Sequence, residues 1–322
     1  MASAVSETAV APVGRRGRFA TARGLVGSTI ARAWNDRVLG LAAEAGFWQL
    51  LSLPSLLLAV IGLLGYFSGA LGPDTVHDVE RAIVHGLKHV IVPSAVDSTV
   101  RPALDRILRG GRADVVSIGF IVSFWTGSSA MATFVNTITI AYGLRQHRGA
   151  VRSRIVALEL YLAFVAVGVV LLPLLVLGPS LITKLAPSNW RHGVHLVTLI
   201  GYWPVVVLIS LALLTSLYHL AIPVRTPWRR AIPGAMVGLG IWLVGSVLLR
   251  LWLTWAFQSS KATYGPLSAP VAVLIFMYLT ALAILLGAEL NAEIDRLWPV
   301  QATADARREE AEAAEAAAAA SL

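Results

Sequence analysis

Ser123, Thr126, Ser129, Thr133, Asn136 and Thr137 are hydroxyl and amide side chains set within an otherwise apolar stretch. At 100° per residue they fall on one face of a helix. Such a stripe does not face lipid. It either hydrogen-bonds to neighbouring helices or lines a wet path. Thr126, Ser129, Thr133 and Asn136 are the candidate path-lining groups. Carboxylates form a second set: Glu44, Glu159, and the pair Glu289 and Glu293 one turn apart, with Asn291 between them on another face. An ionisable group at membrane depth costs at least a few kcal/mol and needs a reason. Two readings stand for this set. One is an ion-pair collar with the arginines of the neighbouring loops. The other is an inner gate or proton-coupling site formed by Glu289, Glu293 and Glu159. Arg250, beside Trp252 and Trp255, is the third feature. It either snorkels to the interface or contacts an outer anion such as a lipid headgroup.

Bond-breaking chemistry has no equivalent signal. The sequence contains no G-x-x-x-x-G-K-[ST], no H-E-x-x-H and no G-x-S-x-G pattern. The pairs His85/His89 and His192/His195 have helical spacing, but no carboxylate lies in register with either, so no metal site is expected. Cysteine is absent, so no disulfide framework exists and the redox compartment is not legible. No cofactor is expected, and the chain is read as not being an enzyme.

The elements that must position these residues are six long apolar stretches, roughly 47–70, 115–143, 154–179, 195–221, 231–257 and 266–292. Each exceeds the ~18 residues that mark a membrane-spanning helix. Composition agrees: mean hydropathy is +0.72, and 14% of residues are charged, against about 25% in a soluble chain. The expected fold is an all-α membrane protein of six transmembrane helices, with additional amphipathic interfacial helices. The expected organisation is a basic segment at 1–36, a transmembrane domain at 37–297 and an Ala/Glu-rich tail at 298–322. The basic segment lacks the apolar core of a cleavable leader, so it is expected to remain. The tail is expected to be frayed or disordered.

The net charge of +8 is distributed for a membrane surface rather than for nucleic acid. Arg15, Arg16, Arg18, Arg23, Arg32 and Arg37 precede the first span. Arg145, Arg148, Arg152 and Arg154 lie between spans two and three, and Arg225, Arg229 and Arg230 between four and five. Lys and Arg accumulate on the cytoplasmic side, so both termini are expected there. Loop 71–114, assigned outside, carries two stripes at helical spacing, from Val76 to Val90 and from Val96 to Leu108. They predict two amphipathic helices. Val26, Ile30, Ala33 and Trp34 make a third stripe, a candidate inner-surface helix. Pro54, Pro173 and Pro204 lie within spans and remove helical hydrogen bonds. Gly65/Gly69 and Gly234/Gly238 permit close helix crossing.

Several blocks together carry a family resemblance. These are Leu51-Ser52-Leu53-Pro54, Phe124-Trp125-Thr126-Gly127-Ser128-Ser129-Ala130, Pro233-Gly234-Ala235 with Trp242 downstream, Ala262-Thr263-Tyr264-Gly265, and Leu286-Gly287-Ala288-Glu289-Leu290-Asn291-Ala292. In order and spacing, from about Arg37 to Leu297, the chain resembles the YihY/virulence factor BrkB inner-membrane proteins. Gly127 departs from that pattern, as does Glu44-Ala45-Gly46-Phe47. The resemblance implies six helices in a bacterial inner membrane and little about activity. The family's old ribonuclease BN label does not suit this chain, because metal-dependent RNA cleavage needs clustered ligands in a water-exposed site.

The expected function is therefore to move, or offer a path to, a lipid or amphipathic envelope component. The alternatives are an envelope scaffold without transport activity and a proton-coupled small-solute exporter. Membrane lipids are the expected partners and nucleic acid is not. A homo-oligomer or an envelope partner stays open.

Overall fold

The computed structural model describes the backbone of residues 15–66, 113–145, 147–185, 191–259 and 268–320, and the side chains of 24–53, 121–145, 147–168, 202, 204–255 and 271–319. The helices predicted within loop 71–114 fall almost wholly outside the described residues, as do Gly69, the block Ala262–Gly265, and His77, His85 and His89.

The described residues form α-helices, with one 3-10 turn at Trp228–Ala231. In chain order they are α1 (Arg15–Asn35), α2 (Val38–Tyr66), α3 (Ala113–Ala141), α4 (Ala150–Leu185), α5 (Arg191–Ala221), α6 (Ile232–Ser259), α7 (Ser268–Leu297) and α8 (Gln301–Ala320). The six helices α2 to α7 coincide with the six apolar stretches, although α2 begins nine residues before position 47. Among the described residues, three segments are long and apolar enough to cross a membrane: Pro204–Ala221, Trp228–Trp255 and Val271–Leu297. Val38–Leu53, the part of α2 whose side chains are described, is a shorter apolar segment.

Packing closes these six helices into a ring, each against the next, with α7 returning to α2 and also touching α3 across the middle. Small residues allow the closest crossings. A Cβ on Gly234 would lie 2.1 Å from the Gly287 carbonyl oxygen, so α6 and α7 meet backbone to backbone. A Cβ on Gly127 would strike the Tyr161 ring at 2.2 Å, seating α4 on α3. Gly46 lets α2 approach the backbone of α7 at Tyr278. Polar pins hold the crossings. The Tyr218 hydroxyl, fully buried on α5, donates to the Ile284 carbonyl of α7 at 2.6 Å. Asn291 of α7 accepts from the Gly234 N–H at 2.7 Å and donates to the Ala231 carbonyl at 2.9 Å. It thus occupies backbone groups left free where α6 begins.

Arginines from the loops and from α7 and α8 meet at one end of this ring, where their guanidinium groups cap helix C-termini. Arg296 donates to the Ala141 carbonyl and Arg307 to that of Tyr142. Arg148 reaches the Ala221 and Ile222 carbonyls, and Arg230 reaches Trp298. Cations there complement the negative end of each helix. The C-terminus of α3 is closed by Gly143 at φ +70°, with N–H bonds from Gly143 to Ile140 and from Leu144 to Thr139. This Schellman pattern favours glycine at that position.

Two expectations change at this end. The tail is helical rather than frayed, and its first turns dock: Thr303 and Ala306 are buried, and Arg307 pairs with Asp295 at 2.6 Å. The apolar stripe of α1 divides in two. Ala33 is buried, while Val26, Ile30 and Trp34 remain exposed.

Candidate functional site

The polar stripe on α3 is split by its surroundings. Thr126, Ser129 and Thr133 are buried, and Asn136 is exposed. Thr126 donates to the Val122 carbonyl at 2.8 Å and Thr137 to that of Thr133 at 2.7 Å, both within their own helix. Those hydroxyls are satisfied and face helix packing. Ser123 pairs instead with the Tyr161 hydroxyl at 2.9 Å.

A different side of α3 is exposed at its two ends, with the buried Ser129 donating to the Trp125 carbonyl at 2.7 Å between them. On a helical wheel Trp125, Ser129, Ala132 and Asn136 share one side of α3. Trp125 and Asn136 are exposed. Helices α2 and α4 flank this side, each packed along α3. This partly exposed strip of α3, bounded by α2 and α4, is the α2–α4 groove. Each wall contributes one charge. From α2, the exposed Glu44 accepts a hydrogen bond at Oε1 from Thr133 at 3.1 Å. From α4, Arg154 donates through Nη2 to Ser129 at 3.1 Å and Ser128 at 3.3 Å, and its guanidinium lies 5.2 Å from the Trp125 ring centroid. Among the described residues neither Glu44 nor Arg154 has an oppositely charged partner within ion-pair distance.

A second polar cluster sits on α7. Glu289 is fully buried, and among the described residues neither carboxylate oxygen has a hydrogen-bond partner. Glu293 lies one turn further on, ion-paired to Arg32 of α1 across 2.5 Å. Arg32, Asp36 and Glu293 are within electrostatic range of Glu289. The cation of this cluster therefore comes from α1, not from the loops between spans. In the α1–α2 turn, burial raises the Asp36 carboxyl above its usual range, and Arg32 and Arg145 pull it the other way. On the far face of α7, a cavity of about 10 Å³, room for one water, is lined by Tyr142, Arg230, Asn291 and Asp295 among others. Burial first, then Asp295, pushes the Tyr142 hydroxyl up.

Glu159 and Arg250 join neither cluster. Glu159 is exposed on α4, which packs on α3 and α5. Arg250 stands on an exposed band of α6 among Leu248, Leu251, Trp252 and Trp255. Among the described residues no three His, Cys, Asp or Glu side chains are grouped to hold a metal ion.

Comparison with known proteins gives the lineage. Residues 29–312 match the family model described as virulence factor BrkB. The chain belongs to the BrkB family. It is 27% identical over 254 residues to the ribonuclease-like protein YfkH of Bacillus subtilis (strain 168), covering 78% of this chain and 88% of that one. It is 25% identical to a UPF0761 membrane protein of Aliivibrio salmonicida and 24% identical to one of Aliivibrio fischeri (strain MJ11), each covering 82% of this chain and 80% of the relative. No solved structure matches. In this BrkB-family chain the blocks that suggested the resemblance meet in space. Pro233-Gly234-Ala235 is clasped by Gly287 and Asn291. The Trp125–Ala130 block holds Arg154.

The sequence alone places Arg154 among the loop cations that set topology, and Glu44 among the carboxylates near the arginine-rich loops. Their convergence on α3 depends on the register between helices, which hydropathy does not encode. The one hint is that Arg154 opens an apolar stretch instead of lying clear of it.

Proposed function

We propose that this BrkB-family protein is a non-enzymatic, six-span protein of the bacterial inner membrane with both termini cytoplasmic, and that it moves, or offers a path to, a lipid or amphipathic envelope component. The observation that carries this reading is the charged groove between α2 and α4. Its α3 strip holds Ser129 and Asn136, and its rims hold Glu44 and Arg154. Exposed polar groups at membrane depth are costly. A headgroup passing along the groove while its chains stay in lipid would give them a partner. Exposed Val26, Ile30 and Trp34 of α1 suit contact with the membrane surface beside the arginine end, where Arg32–Glu293 would form the inner gate.

The test is lipid crossing in proteoliposomes. Fluorescent lipid should cross faster than in empty vesicles, and Thr133→Val, which removes the hydroxyl under Glu44, should slow it. Equal rates for empty, wild-type and variant vesicles, with folded protein, refute the reading.

Glu289 favours a second reading, a proton-coupled exporter of small solutes. A carboxyl group with no fixed hydrogen bonds is free to exchange a proton or cation. Under that reading Glu289→Gln abolishes the dependence of transport on an imposed pH gradient. Under the lipid reading, crossing proceeds without a gradient.

A further inference from the structure

We infer that the α2–α4 groove is a binding site for the zwitterionic headgroup of a phospholipid bearing a primary ammonium, with the phosphate on Arg154 and the ammonium on Glu44. The inference rests on the lipid-movement reading of this groove and names the class of lipid.

Three observations converge. The first is the state of each charge. Arg154 spends Nη2 on Ser128 and Ser129, while its Nε and Nη1 have no acceptor among the described residues. A guanidinium fixed by two hydroxyls and stacked over Trp125 is pre-organised, and its remaining N–H groups match phosphate oxygens. Glu44 receives Thr133 on Oε1, which leaves Oε2 to accept from an N–H donor.

The second is their separation along the groove. Glu44 is anchored at Thr133 and Arg154 at Ser129. These anchors are four residues apart, about 6 Å of helical rise. That is of the order of the phosphate-to-ammonium span of an ethanolamine headgroup.

The third is the walls. Phe47 and Leu51 on α2, and Ile155 and Leu162 on α4, are exposed apolar side chains on the same two helices, each within about two turns of the charge its helix carries. They suit acyl chains and not a free solute, so the ligand is a lipid.

The chemistry also discriminates among headgroups. A glycerol headgroup would satisfy Arg154 but leave Glu44 facing an anion with no cation. A choline headgroup carries positive charge but no N–H to donate to Oε2. Only the primary ammonium satisfies both walls.

Retention of lipid by the detergent-purified full-length protein, read by native mass spectrometry, tests this. Phosphatidylethanolamine, phosphatidylglycerol and phosphatidylcholine are supplied at equal concentration. Wild type should favour phosphatidylethanolamine about tenfold, the worth of one charge-assisted hydrogen bond. Glu44→Gln should erase that preference while phosphatidylglycerol still binds. Arg154→Gln should weaken all three lipids. Should that variant not fold, Arg154→Lys keeps the charge without the fork and should bind at an intermediate level. Equal retention of the three lipids by wild type, or a preference untouched by both variants, overturns the inference. Soluble glycerophosphoethanolamine displacing the lipid at equal concentration would refute the lipid as the source. Crossing assays run on the same proteins separate the two claims. Selective retention without crossing refutes the movement reading and leaves the headgroup site. Crossing without headgroup preference does the reverse.

Discussion

Gly234→Ala should be the most damaging single-methyl change in the described bundle. The new Cβ would lie 2.1 Å from the Gly287 oxygen and 2.5 Å from the Asn291 amide. Carbon and carbonyl oxygen ordinarily approach no closer than about 3.3 Å, so α6 and α7 must separate by roughly 1 Å. The Asn291 clasp cannot follow. Its bonds to the Gly234 N–H and the Ala231 carbonyl break, leaving the buried Gly234 N–H and the buried Asn291 amide unpaired. At about 1–3 kcal/mol for each orphaned group, and after subtracting the ~1 kcal/mol that alanine returns through helix propensity, the net loss is about 3 kcal/mol. At about 2–4 °C per kcal/mol, the midpoint of thermal unfolding in detergent should fall by roughly 6–12 °C. Gly240→Ala is the internal control. It lies in the same helix with nothing within 4 Å of its Cβ, so it should hold or slightly raise the midpoint. If the two variants unfold at the same temperature, the close crossing does not carry the packing and the reasoning fails.

Three further outcomes are expected. Asp36→Asn should raise the unfolding midpoint at pH 7–8, with the gain vanishing toward pH 4. Burial holds the folded carboxyl above its unfolded value, so the ionised form destabilises above the raised value and not below the ordinary one; a gain that is unchanged at pH 4 would refute this. Gly143→Ala should cost about 1 kcal/mol through its left-handed backbone, because the added methyl meets only Arg296 at 3.9 Å; chemical denaturation measures it. Arg307→Gln removes both the Asp295 ion pair and the bond to Tyr142, and hydrogen exchange should then accelerate across Gln301–Ala320 with the rest of the bundle unchanged.

The positions of the long helices were legible because an apolar run of that length has few other stable forms. The faces of α7 were legible too: Glu289 and Glu293 turn one way and Asn291 another, as the helical period requires. Partners were not legible, since they depend on which helices touch and at what height. Periodicity put Thr126, Ser129, Thr133 and Asn136 on one face, yet Thr126 packs inward and Asn136 outward, because α2 covers only half of that face. The arginines followed the charge rule for topology, but their second task, closing helix ends, needed the ends to be brought together. The stripe on α1 looked like one surface until Ala33 turned to the bundle and Trp34 away.

The central position of α7 has a consequence for how the protein is made. The ribosome delivers Ser268–Leu297 after every other helix of the ring, and domains generally acquire structure in the order of synthesis. Until α7 emerges, the Tyr218 hydroxyl lacks the Ile284 carbonyl, the Gly234 N–H lacks Asn291, and α1 has no Glu293 to hold. In a nascent chain stopped at the α6–α7 connection the Tyr218 hydroxyl lacks a partner that the apolar interior of a membrane does not replace. Release of the final helix is therefore the event that closes the ring and pairs these groups.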